Sequence, residues 1–322
     1  MTTTESAERI PCTTCGALIR PVTAKHTNGL CRPCFKEIPR YPLSALPAYV
    51  REYERFKASE KWRLPTLSTV TFNYDEIIAE SEAMQRIVAL VKRVAPSDAP
   101  VLISGEIGTG KKLVARAIHR LSKRNAQPFL TMNCAALPEN LIESELFGLY
   151  RSPTWVEPKP GFLERANGGT ILLETILEIP LSVQGKLLRV FQTGEFMRIF
   201  RQEPIKVDLR VIATTTQNLA DCVTTGEFSQ DLYTYMNGVV ISLPPFRERR
   251  EDIPRLLDFY LRMIVESFGI GPKKLAPDVL DFLVSYPWLG NFRELQAVLE
   301  ISLLKANSDT VKLEDLPSEM KL

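Results

Sequence analysis

Residues 101–112 read VLISGEIGTGKK, an apolar run followed at once by a glycine loop that ends in lysine and opens onto the helix-like stretch LVARAIHRL. A loop of this kind needs a strand before it and a helix after it. Gly105, Gly108 and Gly110 let the backbone turn and aim its N–H groups inward, and the N-terminus of the next helix adds positive partial charge. The result is a phosphate cradle. Glu106, Ile107 and Thr109 complete its backbone, and Lys111 is placed to reach the β and γ phosphates of a nucleotide, ATP or ADP. The GxxxxGK pattern is complete, but the Ser or Thr that normally holds Mg²⁺ is replaced by Lys112. A glycine loop can also be an ordinary turn; its placement favours the nucleotide.

Around this loop, strands and helices alternate. Segments 100–104, 128–133, 170–174, 208–214 and 239–243 read as strands with helices between them, the pattern of a doubly wound α/β sheet. Helical segments follow near 253–268, 277–285 and 291–306, with Pro277 suited to the first position of the second.

Several further stretches occur in a fixed order: NCAALPENLIESELFG (133–148), ERANGGTILLETILEIPLSVQGKLLRVFQTGEF (164–196), DLRVIATTTQNL (208–219), LPPFRERREDIPRLL (243–257) and LGNFRELQAVLE (289–300). With the loop, they make the chain from Phe72 to Leu316 resemble the AAA+ domain of bacterial enhancer-binding proteins, ATPases that remodel sigma-54 RNA polymerase. The resemblance implies an AAA+ P-loop NTPase fold with a helical lid, ATP with Mg²⁺ as ligands, and a homo- or hetero-oligomeric ring acting on the transcription machinery or on an AAA+ homologue. It also assigns binding positions: Ile77 and Ile78 to the apolar clasp at adenine, Asn133 to the residue that switches the Walker B glutamate, and Arg293 to the lid arginine that touches nucleotide.

Departures from the family pattern fall where hydrolysis would occur. Walker B should end in Asp-Glu and here ends in Glu174 and Thr175; Glu174 keeps a carboxylate, but Thr175 cannot act as general base, a role worth ~10²–10⁴-fold. Ser229 and Tyr235 stand where the family supplies arginines to a neighbouring subunit, a contribution of ~10³–10⁵-fold. Thr216 replaces the Asn that often senses the γ phosphate. The sigma-54 contact loop, GAFTGA in the family, is replaced by residues 152–157, Ser152 to Glu157, and Pro153, Pro158 and Pro160 stiffen the interval. Trp155 within it suits an interface or a packing role equally. Binding residues kept and hydrolytic ones replaced imply a nucleotide-responsive interaction module; an active ATPase subunit of a mixed ring is the alternative.

At the N-terminus, Cys12-x2-Cys15 and Cys31-x2-Cys34 are fifteen residues apart. Two such knuckles offer four thiolates, the donor set of a tetrahedral Zn²⁺ site. The remaining cysteines, Cys134 and Cys222, lie alone and read as packing residues. A zinc ribbon over 1–37 can bind protein, bind nucleic acid or hold the terminus together, so a ribbon adaptor is a further alternative. The first 65 residues carry eleven basic and six acidic side chains within a chain of net charge +2. That excess is too small to point to DNA, and no helix-turn-helix pair follows the lid, so direct DNA contact is not expected. The remaining division is a proline-rich linker with one helix over 38–71, an α/β nucleotide-binding subdomain over 72–250 and a helical lid over 251–322. No apolar run approaches the ~18 residues that span a membrane, and no charged-then-apolar signal opens the chain, so a cytoplasmic protein is expected.

Overall fold

The computed structural model describes residues 10–11, 18–19, 77–149, 159–199 and 203–321. The chain divides into one unit over Met1–Pro47 and a second over Ala48–Leu322. In the first, strands β1 (Ile10–Pro11) and β2 (Leu18–Ile19) pair antiparallel. The four N-terminal cysteines, the linker with its expected helix over 38–71 and the interval 152–157 lie outside the described residues.

The second unit is built on a parallel sheet. β3 (Val101–Ser104), β4 (Phe129–Asn133), β7 (Thr170–Glu174), β10 (Arg210–Thr215) and β11 (Val240–Ser242) lie in the order β11-β3-β10-β7-β4. All four interfaces are parallel. A parallel sheet covered on both faces needs strands that are apolar at consecutive positions, and TILLE and RVIATT meet that need. Alternate residues divide between two cores. Leu102, Ile171, Leu173, Val211 and Ala213 join one; Val101, Ile103, Leu172 and Ile212 join the other. The five strands expected from sequence are all present, each within two residues of its expected ends.

Helices close both faces. α1 (Glu82–Val94) buries Met84, Ile87, Val91 and Val94 at helical spacing, and α2 (Lys111–Arg120) packs beside it. α3 (Glu139–Phe147), α4 (Phe162–Arg165), α5 (Leu181–Thr193), α6 (Leu219–Thr224) and α7 (Gln230–Met236) supply residues to the opposite core. Arg210, fully buried at the start of β10, donates Nη1 to Ala95 O at 2.5 Å and Nη2 to Val94 O at 3.1 Å. A cation there satisfies carbonyls that the end of α1 leaves open and meets its negative dipole end. Cys134 and Cys222 are free and buried, as packing residues should be.

Short ladders beside the main sheet were not anticipated, among them β5 (Gly148–Leu149) with β6 (Lys159–Pro160), and β8 (Glu195–Phe196) with β9 (Ile205–Lys206). The first frames the interval that replaces the contact loop. Gly148 and Gly161 cross so closely that a Cβ on Gly161 would lie 2.5 Å from Gly148 N.

The lid comprises α8 (Ile253–Phe268), α9 (Pro277–Ser285) and α10 (Asn291–Lys305), joined by a short parallel pair, β12 (Lys274–Leu275) and β13 (Thr310–Val311). Pro277 opens α9 at its first turn as expected. Between α9 and α10, Trp288 (φ 49°) and Asn291 (φ 50°) take left-handed backbone. Trp288 is held there by full burial and by its Nε1 donating to Leu283 O at 2.7 Å.

Candidate functional site: the glycine loop and its lid

In doubly wound sheets, ligands bind beyond the carboxyl ends of the strands. The glycine loop leaves β3 at that end. Gly105, Gly108 and Gly110 have φ of 148°, 78° and 101°, conformations that L side chains rarely adopt. Gly108 is also sterically fixed, since a Cβ there would lie 2.6 Å from Gly290 O. A side chain at these positions would be strained, and at Gly108 it would collide with the lid, so the backbone itself is presented.

The loop is held on its outer side by the lid and the segment leading into it. Phe292 N donates to Gly108 O at 3.0 Å. Asn291 is fully buried: its Nδ2 donates to Ile107 O at 3.1 Å and to Glu106 Oε2 at 3.3 Å, while its Oδ1 accepts from Phe246 N at 2.8 Å. Arg247 grips the Glu106 carboxylate with two bonds of 2.9 and 2.6 Å, and this pair, more than its other neighbours, lowers the Glu106 pKa. Arg249 donates Nη2 to Thr109 O at 2.8 Å and stacks its guanidinium 4.9 Å from the Phe246 ring. Burial pulls its pKa down to about 10. Sequence reading missed Asn291, Arg247, Arg249 and Asp252. The run PFRERRED signals several charges near an apolar turn, but says nothing of their partners, which lie 140, 141 and 171 residues away for Arg249, Arg247 and Asp252.

Lys111 lies under the loop, with Nζ donating to Gly105 O and Glu106 O at 2.7 Å each. Burial lowers its pKa to about 8, opposed by the nearby Glu174 and Glu106. Its two acceptors are weak, neutral carbonyls, which phosphate oxygens can replace with stronger charge-assisted bonds. Lys112, on the first turn of α2, places Nζ 2.8 Å from Glu174 Oε1 at the end of β7. That oxygen is buried and accepts no hydrogen bond of regular geometry, so the pair is a contact between charges.

The loop pattern expects a hydroxyl at position 112 and a Walker B carboxylate to bind Mg²⁺ together. Here an ammonium stands at the first and faces the second. The residues present do not fit that shell.

The remaining expected positions divide. Asn133 and Glu174 are direct register partners on β4 and β7. The Asn133 carboxamide accepts from Ala135 N at 3.1 Å, capping the turn that follows. Ile77 packs on the core that carries α1 and α2, and Ile78 is half-buried beside it. Arg293 is partly buried, one residue beyond the Phe292 contact with the loop. Thr216 is exposed beyond the end of β10. The side chain of that strand that meets Walker B is Thr214, whose Oγ1 accepts from Thr175 N at 3.2 Å.

Ser229 and Tyr235 have contacts within the chain. Ser229 caps α7, its side chain accepting from Leu232 N at 3.4 Å, and its N–H donates to Gln184 Oε1 at 2.7 Å. Tyr235 donates its hydroxyl to Phe191 O at 3.2 Å and stacks on the Phe191 ring at 5.8 Å; burial raises its pKa. Thr175 has φ 56° and ψ 59°, a genuine outlier for a β-branched residue. Asn tolerates this region far better, so Thr175→Asn is expected to stabilise the fold by about 1 kcal/mol. Urea unfolding checks this, and an unchanged or lowered midpoint would show that the turn carries no strain.

Comparison with known proteins places this geometry. The sigma-54 interaction domain model matches residues 77–242, and an AAA+ ATPase lid domain model matches 247–322. The chain is 43% identical over 247 residues to the DNA-binding transcriptional regulator NtrC of Escherichia coli strain K12, covering 76% of this chain and 53% of that protein. It is 42% identical over 256 residues to the transcriptional regulatory protein ZraR of Salmonella typhimurium strain LT2, covering 79% and 57%. Among solved structures, NtrX from Brucella abortus in complex with ATP superposes with a TM-score of 0.71 at 37% identity, covering 76% of this chain and 55% of that one. The same protein in complex with ADP gives 0.70. The chain thus spans about half the length of the curated relatives it matches.

Proposed function

The chain belongs to the sigma-54 interaction domain family, and from that premise we propose that it is a nucleotide-responsive interaction module that binds ATP or ADP and hydrolyses ATP at or near background. The observation that carries the reading is the loop itself. Its glycines expose backbone, Lys111 waits on neutral carbonyls, and the lid with the segment leading into it is bonded to Glu106, Ile107, Gly108 and Thr109 of the loop through Asn291, Phe292 and Arg249. A bound phosphate chain that shifts the loop must therefore act on the lid. The similar NtrX structures carry ATP or ADP, which supports the same ligand class here.

Weak hydrolysis rests on three positions. Thr175 has no carboxylate to polarise water, and Ser229 and Tyr235 are engaged in capping and stacking within their own chain. Groups that act as a unit are not additive, so Thr175→Glu alone should recover little. The test is steady-state phosphate release by the purified protein. Background release is expected, and turnover near ~1 s⁻¹, within the ordinary enzyme range, would refute the proposal. Turnover that appears only with an intact AAA+ homologue would favour the mixed ring. In either case the target would be transcription machinery reached through a ring of subunits. The replaced GAFTGA sequence argues that this chain alone does not open sigma-54 promoters.

For the N-terminal unit, the proposal is one Zn²⁺ per chain on Cys12, Cys15, Cys31 and Cys34. Metal analysis of protein prepared without chelator should give one equivalent, falling to none in Cys12→Ser with the core still folded. Less than about half an equivalent in the native protein would contradict a four-thiolate site.

A further inference from the structure

We infer that the Lys112 ammonium takes the place of the divalent cation beside Glu174, so that the glycine loop binds nucleotide without Mg²⁺. The inference rests on the nucleotide-binding reading above and deepens it. In the general pattern, residue 112 would give a hydroxyl to the metal and the Walker B carboxylate would complete the shell from the far side. Lys112 bears on both halves. It has no hydroxyl to give and brings a positive charge to 2.8 Å from Glu174 Oε1. A divalent ion at the same place would meet an ammonium within a few ångströms, and the carboxylate left for it would already be neutralised.

No other described carboxylate on the loop or on the ends of β4 and β7 can take over. Glu106 is held by both Arg247 and Asn291. Thr175 is neutral, and the Asn133 carboxamide oxygen is accepting from Ala135 N. The positive charge that phosphates require is instead built into the chain. Lys111 sits beneath the loop, and Lys112 stands at the helix N-terminus with its side chain about half exposed, at 49%, toward solvent. A tethered monovalent cation screens the phosphates but cannot polarise an attacking water as a metal does, which agrees with binding in the absence of turnover.

The test compares equilibrium affinity for ADP and for ATP in excess EDTA and in millimolar Mg²⁺, using the full chain. For the native protein the two conditions should agree within about threefold, half of a tenfold step on the logarithmic affinity scale. Lys112→Thr restores the hydroxyl and frees Glu174; its affinity should depend on Mg²⁺ by about tenfold or more. Native protein that binds only when Mg²⁺ is present would overturn the inference while leaving the cradle intact. Absence of binding in both conditions would overturn the cradle reading, and this inference with it. Because the first comparison uses native protein alone, a poorly folding variant does not remove the test.

Discussion

Asp252→Ala is expected to remove about 3–5 kcal/mol of folding stability, the range for breaking a buried charge pair from one side. Asp252 is fully buried where the α/β core meets the lid. It accepts from Ser81 N at 2.7 Å and from Ser81 Oγ at 3.0 Å, so it anchors the residue that caps α1. Its Oδ2 also faces Arg249 Nη1 at 3.9 Å. Arg249 is nearly as buried and lies against the Phe246 and Phe292 rings. Without the carboxylate, a buried guanidinium loses its countercharge and a buried N–H loses its acceptor. Urea unfolding should show a lower midpoint with an unchanged slope. A loss below about 1 kcal/mol, the worth of an exposed pair, would mean that solvent reaches the junction.

The second large effect falls on ligand binding. Lys111→Ala should weaken ATP and ADP binding by roughly 100-fold or more, since each charge-assisted hydrogen bond lost is worth about 1.5–3 kcal/mol. Calorimetry on both proteins checks it; equal affinities would show that the loop is not the cradle. The same residue sets a pH dependence. Its pKa in the folded protein is about 8, below the usual 10.5, because burial disfavours the ammonium. Between these values the unfolded chain holds more protons on this group than the folded one. Its contribution to stability therefore rises with pH across that window and is unfavourable below it. That rise should be absent in Lys111→Ala. Nucleotide binding needs the ammonium, so affinity in the native protein should fall as pH rises above about 8.

Much of the architecture was legible because it is written locally. TILLE and RVIATT are apolar at consecutive positions, as buried parallel strands require, and both form where expected. The lid helices read near 253–268, 277–285 and 291–306, with Pro277 opening the second, were placed with little error. The strand end after RVIATT was less legible. Thr214, Thr215 and Thr216 are alike in sequence, and only the register beside β7 turns Thr214 toward the Thr175 amide while leaving Thr216 exposed.

Contacts across the fold were not legible at all. Asn291 and Glu106 are 185 residues apart, and Asp252 and Ser81 are 171; no periodicity or spacing joins them. Lys112 was readable as a missing hydroxyl, but its contact with Glu174 depends on β10 separating β3 from β7 in the sheet. Ser229 and Tyr235 were visible only as absent arginines. Ser229 works as the cap of α7, and Tyr235 as a stacking partner where α7 packs against α5.

The central claim, that this loop holds nucleotide without cleaving it, is tested most directly by identifying what the protein carries after prolonged incubation with ATP and rapid removal of free nucleotide. The predicted result is intact ATP, at a stoichiometry approaching one per chain, recovered from the native protein and absent from Lys111→Ala. Recovery of ADP in its place, with released phosphate, would contradict the claim, and so would native protein that carries no nucleotide.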